Sequence, residues 1–170
     1  MRVLLALIIF AALTTPAKPI NNPGAVKCTH LTTEWDGLDD PPQTNGFCNF
    51  RDIESGVRAI AKILLTYQRA YGLTTVGGMV ERYSPAGVDG NNTAEYVLYV
   101  SGKLGVISDE VINVGDYAYM RPFVEAIIAF ENIGPFPTSQ QIDRGLELAG
   151  IRKNRDAVTP GWIYQSAMVD

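Results

Sequence analysis

The sequence predicts a mainly α, α+β domain that opens with a small N-terminal β-hairpin. From residue 53 onward, apolar residues recur at three- and four-residue steps, which is the period of amphipathic helices. Capping residues and glycines bound several of these stretches. Before residue 53 the chain is rich in turn-forming Asn, Gly and Pro. The 170 residues, of which 46% are hydrophobic, are enough for one domain with its own core.

Residues 1–17 have the layout of a secretory signal peptide. Met1 and Arg2 form a short basic start, an uncharged apolar run extends from Val3 to Leu13, and small residues near Ala17 suit a cleavage site. The run is short for a bilayer span, so a permanent anchor is the weaker interpretation and a transient membrane anchor stays open. We therefore expect an exported protein, in the periplasm or outside the cell, with a folded domain over 18–151 and a tail over 152–170.

Two short segments predict the hairpin. Ala25 to Cys28 follows a turn signal, and Phe47 to Phe50 alternates like a strand, while residues 29–46 are expected to be turns. In an oxidising compartment Cys28 and Cys48 would form a disulfide between the two arms. Two unrelated buried thiols, or a catalytic thiol beside His30, are the alternatives.

Five amphipathic helices are expected after the hairpin. The signals at their ends are Gly72, Ser84 before Pro85, Asn92 with Glu95, Gly105, and Thr138 with Gln141 before Gly150. The stretches that carry the periodicity run from residue 53 to 71, from 76 to 83, from 92 to 104, from 116 to 131 and from 138 to 149.

Composition excludes several classes of function. The net charge is −4 and the basic residues form no dense cluster, so we expect no nucleic-acid partner. One His and two Cys cannot build a zinc site of those residue types alone, and a catalytic triad would have to use His30. We therefore predict no metal and no cofactor.

Glu131 is the charged residue that lies out of pattern. It falls four residues after Ile127 and three after Ile128, so it extends the apolar face of its helix, whereas Glu125 falls off that face. Burial raises the pKa of a carboxyl and keeps it protonated, as a general acid requires. The alternative is a helix-terminal Glu turned into solvent.

A series of short motifs runs through the chain from about residue 20 to 151. The motifs are Asn21 to Lys27, Trp35-x-Gly37, Gly46-Phe47-x-x-Phe50, Glu54-x-Gly56-x-Arg58-Ala59, Gly72 to Val76, Arg82 to Pro85, Tyr96-Val97, Leu104 to Val106, Ala126 to Ile128 and Glu131-Asn132. In this order and combination they resemble a family of small phage-associated virion proteins.

The Asn-Pro-Gly hairpin, the Phe-x-x-Phe strand and the next helix also resemble part of a lysozyme-like glucosaminidase or lytic transglycosylase. In those enzymes a helix that ends in the catalytic Glu precedes the hairpin. Here the helix that ends at Glu131 follows it, so the resemblance implies a circularly permuted lysozyme-like domain. It further implies that Glu131 is the general acid and that Asn21 and Asn22 lie near it.

The substrate implied by this resemblance is the glycan of peptidoglycan. Glu34 or Asp36 would be the partner carboxylate in a two-carboxylate hydrolysis. The alternative is that the acidic loop to which they belong, with Asp39 and Asp40, is only a solvated surface. Trp35, Tyr83 and Tyr96 would bind sugar rings by stacking, although the two tyrosines also fit core positions.

Three hypotheses of function follow from the sequence. The first is a peptidoglycan-degrading glycosidase or lytic transglycosylase. The second is a non-catalytic virion or envelope structural protein that binds glycan or a protein partner. The third is a secreted inhibitor or binding module. The sequence leaves the oligomeric state open.

Overall fold

A computed structural model describes residues 21–28, 35–88 and 90–153. The predicted signal segment 1–17, most of the predicted tail, His30 and Glu34 lie outside these described residues. In the described part, a two-stranded antiparallel sheet precedes five helices, which confirms the predicted mainly helical α+β class.

The helices form where the periodicity predicted them. Each helix begins at a residue whose side chain caps its first turn. Four helices end at a residue in the left-handed conformation, which favours glycine and asparagine: Gly72, Gly105, Asn132 and Gly150. Their bounds are α1 Ile53–Tyr71, α2 Val76–Tyr83, α3 Thr93–Leu104, α4 Tyr117–Glu131 and α5 Ser139–Ala149.

The first arm of the hairpin differs from the prediction. Strand β1 is Leu38–Thr44 and pairs with β2, Phe47–Phe50, across the two-residue turn Asn45-Gly46. Both turn residues have positive φ, as a tight hairpin turn requires. The prediction placed turns here because β1 contains two prolines, but β1 pairs on one side only, and its ladder is irregular between Leu38 and Gln43.

The segment predicted as the first strand contacts β2 without forming a strand. Lys27 makes an isolated bridge to Phe47, and the Cys48 amide donates to the Val26 carbonyl at 2.9 Å. Cys28 and Cys48 form a disulfide, as predicted. The N-terminal segment is thus covalently joined to the hairpin.

Helix α1 lies at the centre of the core. It packs against α2, α4, α5 and β2, and Val57, Ile60 and Leu64 are fully buried. Helix α3 packs against α2 and α4. Among the described residues, no helix combines the length and apolar character needed to cross a membrane.

Candidate active site

A cleft of about 1040 Å³ opens where α4 ends, beside α2, the end of α1 and the N-terminal segment. Glu131 lies on its wall together with Val26, Trp35 and Tyr83. We call it the Glu131 cleft. It brings a carboxyl and several aromatic rings to one surface, which is the composition of a site for a polar ligand with apolar faces.

Packing of α4 places Glu131 in the cleft. Phe123 and Ile127 are buried on the same helix, so the apolar face fixes its rotation about the core. The helix ends at Asn132 in the left-handed conformation, immediately after Glu131. The ring of Phe130 stacks on Tyr96 of α3, with centroids 3.8 Å apart and planes 15° apart. The last turn of α4 is therefore held on both sides of Glu131.

The Glu131 carboxyl is half-buried and accepts a hydrogen bond from Tyr96. The Tyr96 hydroxyl donates to Oε1 of Glu131 at 3.0 Å. Burial raises the pKa of Glu131, and the hydrogen bond from Tyr96 opposes part of that rise. Within the described residues, the hydrogen bond to the Glu131 carboxyl is made to Oε1 and none is made to Oε2.

Tyr96 does not line the cleft, which corrects its prediction as a sugar-binding residue. It is only 1% exposed and belongs to the core, the alternative that the helical pattern also allowed. Burial raises the pKa of its hydroxyl, and the neighbouring Glu131 adds to the rise. Tyr96 is a neutral donor to Glu131.

Tyr83 lines the cleft, and its hydroxyl donates to the Gly24 carbonyl. Burial raises its pKa well above the ordinary value, and the charge of Glu131 raises it further. Tyr83 therefore joins α2 to the N-terminal segment and presents a neutral ring beside Glu131.

Asn21 and Asn22 do not line the cleft among the described residues, contrary to the prediction that they bind substrate. The amide of Asn22 is 1% exposed and donates to the carbonyls of Val26 and Cys48, both at 2.9 Å, while its Oδ1 accepts from the Val26 amide at 2.8 Å. Asn21 donates to the Phe50 carbonyl at 2.9 Å. Both side chains hold the N-terminal segment against β2.

Trp35 lies on the cleft wall, whereas Asp36 does not. Asp36 forms an ion pair with Arg58 at 2.6 Å and is exposed to solvent. It does not line the cleft, so it is wrongly placed as a partner carboxylate. Glu34 lies outside the described residues.

Among the cleft residues that the sequence did not single out, two charged and two aromatic side chains matter most for binding. Glu81 and Arg82 lie on α2, and Tyr67 and Tyr71 lie at the end of α1. Arg82 belongs to the Arg-aromatic-x-Pro motif, and that motif was the available signal. Exposed charged residues on helices usually face bulk solvent, so spacing alone gave no reason to select them.

The described residues contain no group of three or more His, Cys, Asp or Glu placed to hold a metal ion. On the described residues, the cleft offers the Glu131 carboxyl, aromatic rings, two charged α2 side chains and Lys27 of the N-terminal segment.

The fold and the cleft together define a small helical domain with a disulfide-closed hairpin and a carboxyl held by a buried tyrosine. No family model matches the chain. Protein P5 of Pseudoalteromonas phage PM2 is 30% identical over 114 residues, which cover 67% of this chain and 68% of that protein. The chain belongs to the family of that phage protein. The phage association implied by the sequence motifs is thereby confirmed.

Proposed function

We propose that this protein is a phage-associated enzyme that cleaves peptidoglycan glycan, either as a lytic transglycosylase or as a glycosidase. The observation that carries the proposal is the Glu131 carboxyl, half-buried in a cleft, with a raised pKa and one oxygen held by Tyr96. A protonated carboxyl in an aromatic-lined cleft is suited to donate a proton to a glycosidic oxygen.

In the proposed reaction, Glu131 gives the proton on Oε2 to the leaving oxygen as the bond to the anomeric carbon breaks. A hydroxyl of the same sugar, or a water molecule, then forms the new bond to that carbon. Its proton returns to the Glu131 carboxylate, which restores the acid. Tyr96 stays hydrogen-bonded to Oε1 throughout and keeps the carboxyl oriented.

One carboxyl is enough for attack by the sugar's own hydroxyl. Hydrolysis with two carboxylates requires a partner in the same cleft. Glu81 lines the cleft and Asp36 does not, so Glu81 replaces Asp36 as the described candidate for that partner. Trp35 and Tyr83 supply ring faces on which sugars can pack.

The arrangement of the cleft also supports the permuted lysozyme-like relationship. The helix that ends at Glu131 lies beside the N-terminal segment and Trp35, although Glu131 follows Trp35 by 96 positions and Val26 by 105. A permuted domain would bring these same parts together. An enzyme on a phage particle or exported beside it would meet the cell wall, which agrees with the predicted export and virion association.

The test is a zymogram on purified peptidoglycan with the wild type, Glu131→Gln and Glu125→Gln. We expect the wild type and Glu125→Gln to clear the wall and Glu131→Gln to lose clearing, because glutamine cannot donate the proton. Glu125 is a matched control, since it lies on α4 but pairs with Arg121 at 2.9 Å outside the cleft.

Two results would contradict the proposal. Clearing by Glu131→Gln equal to that of the wild type would show that Glu131 is not the acid. No clearing by a folded wild type, together with binding to peptidoglycan, would favour the non-catalytic structural protein instead.

A further inference from the structure

Arg82 is a cation mounted on an aromatic surface at the Glu131 cleft. Its guanidinium carbon lies 3.6 Å from the centroid of the Tyr71 ring and 5.4 Å from that of Tyr67. The two rings meet edge to face, with centroids 6.3 Å apart. Cation–π contacts with these two rings therefore hold the Arg82 guanidinium in place.

Tyr67 also contacts the backbone of Arg82. The Tyr67 hydroxyl donates to the Arg82 carbonyl at 3.4 Å, which ties the end of α2 to the last turns of α1. Tyr67, Tyr71 and Arg82 all line the cleft, and Tyr71 is 53% exposed. The guanidinium thus has a defined position, and Arg82 is exposed, so that a ligand in the cleft can reach it.

Within the described residues, no carboxylate forms an ion pair with Arg82. Ion pairs among the described residues join Arg58 to Asp36, Arg121 to Glu125 and Asp143, and Arg144 to Glu147, whereas Arg51, Arg69 and Arg152 form none there, like Arg82. Arg82 differs from these three because it lies over aromatic rings at the cleft. A stacked guanidinium keeps its in-plane N–H groups available, and their fork matches a carboxylate. An oriented and uncompensated cation of this kind is suited to bind an anion.

We propose that Arg82, on the Tyr67–Tyr71 surface, is a subsite for a carboxylate carried by the glycan ligand. In peptidoglycan such a carboxylate comes from the lactyl group of a muramic acid residue or from the peptide attached to it. The subsite would make the cleft select carboxylate-bearing glycan over a neutral chito-oligosaccharide. This inference rests on the proposed function for the class of ligand, but it concerns binding and not bond cleavage.

The test measures binding of three soluble ligands by titration calorimetry at low ionic strength. The ligands are a neutral chito-oligosaccharide, a peptide-free oligosaccharide that contains muramic acid, and the same oligosaccharide with its peptide. All are measured on Glu131→Gln, so that cleavage does not interfere, and on Glu131→Gln combined with Arg82→Gln or Arg82→Lys.

We expect Arg82→Gln to weaken binding of a carboxylate-bearing ligand by roughly 10-fold or more, the loss typical of a charge-assisted hydrogen bond. Binding of the neutral ligand should stay within about twofold. Arg82→Lys keeps the charge but not the fork, and should lose less. If the peptide-free ligand loses more affinity, the lactyl carboxylate is the group that contacts Arg82. If only the peptide-bearing ligand loses affinity, a carboxylate of the peptide is that group.

Arg144→Gln is the matched control, because it removes one exposed positive charge outside the cleft. If Arg82→Gln in the Glu131→Gln background binds all three ligands as tightly as Glu131→Gln alone, the subsite proposal is overturned, even if the wild type clears cell walls. Equal losses for neutral and carboxylate-bearing ligands would also overturn it. Selective loss in a protein whose wild type never cleaves glycan would support the subsite and contradict the proposed enzyme.

Discussion

At the scale of single residues, the hydrogen bond between Tyr96 and Glu131 affects the pKa of the carboxyl in the cleft. Burial favours the neutral carboxyl, whereas the Tyr96 hydrogen bond favours the charged one, and burial is the larger effect. A change at Tyr96 therefore separates the two contributions.

Tyr96→Phe should raise the pKa of Glu131 still further, because the one hydrogen bond that lowers it is removed. The protonated form would then persist to higher pH. The measurement is a carbon NMR titration of the Glu131 carboxyl in the wild type and the variant. The variant should also lose about 0.5–1.5 kcal/mol of unfolding free energy with the hydrogen bond.

Tyr99→Phe is the control for that titration. Tyr99 lies on the same helix and its ring also contacts Phe130, but it makes no described hydrogen bond to Glu131. A Glu131 pKa that stays the same or falls in Tyr96→Phe would show that the hydrogen bond does not tune the acid.

Asn22→Ala should destabilise the protein strongly, although Asn22 is not part of the cleft. The substitution removes three hydrogen bonds and leaves the Val26 amide and the Cys48 carbonyl without their side-chain partner, whereas the Val26 carbonyl keeps the bond from the Cys48 amide. We expect a loss of about 2–4 kcal/mol, which chemical denaturation measures. Asn113→Ala removes one hydrogen bond, from the Gly115 amide, at an exposed loop position and should cost no more than about 1 kcal/mol. Equal effects of the two substitutions would contradict the structural role of Asn22.

At the scale of elements, the helices could be predicted because periodicity and caps are local. The second strand could also be predicted, from the alternation of Phe47 to Phe50. The first strand could not, since Asp39, Asp40, Pro41 and Pro42 are residues typical of turns. Glu131 could be found because it is a charged residue at a position on the apolar face of its helix. Its partner Tyr96 could not, because that contact depends on how α3 packs against α4, which no local pattern specifies.

Packing of α1 on α5 depends on Gly145. A Cβ at this position would lie 2.5 Å from Cγ1 of Val57 and 2.8 Å from the Glu54 carbonyl oxygen. Gly145→Ala should therefore lower the unfolding free energy by about 1–3 kcal/mol, despite the better helix propensity of alanine. Thermal unfolding measures the change.

Gly102→Ala on α3 is the opposite case, because a Cβ there meets nothing within 4 Å. We expect it to be neutral or to stabilise the protein by up to about 1 kcal/mol. Stabilisation by both substitutions would show that α1 and α5 are not in close contact at Gly145.

At the scale of the whole molecule, distant parts of the chain meet at one cleft. The N-terminal segment, joined to the hairpin by the Cys28–Cys48 disulfide, contributes Val26 and Lys27, while α4 contributes Glu131. The proposed function therefore depends on the intact domain and not on one motif.

The central claim is that Glu131 donates the proton that breaks a glycosidic bond. The most direct measurement is mass spectrometry of the soluble fragments released from purified peptidoglycan by the wild type, Glu131→Gln and Glu125→Gln. We predict glycan fragments with newly formed sugar ends from the wild type and Glu125→Gln, and none from a folded Glu131→Gln. Equal release by all three proteins, or no new sugar ends from the wild type, would contradict the claim.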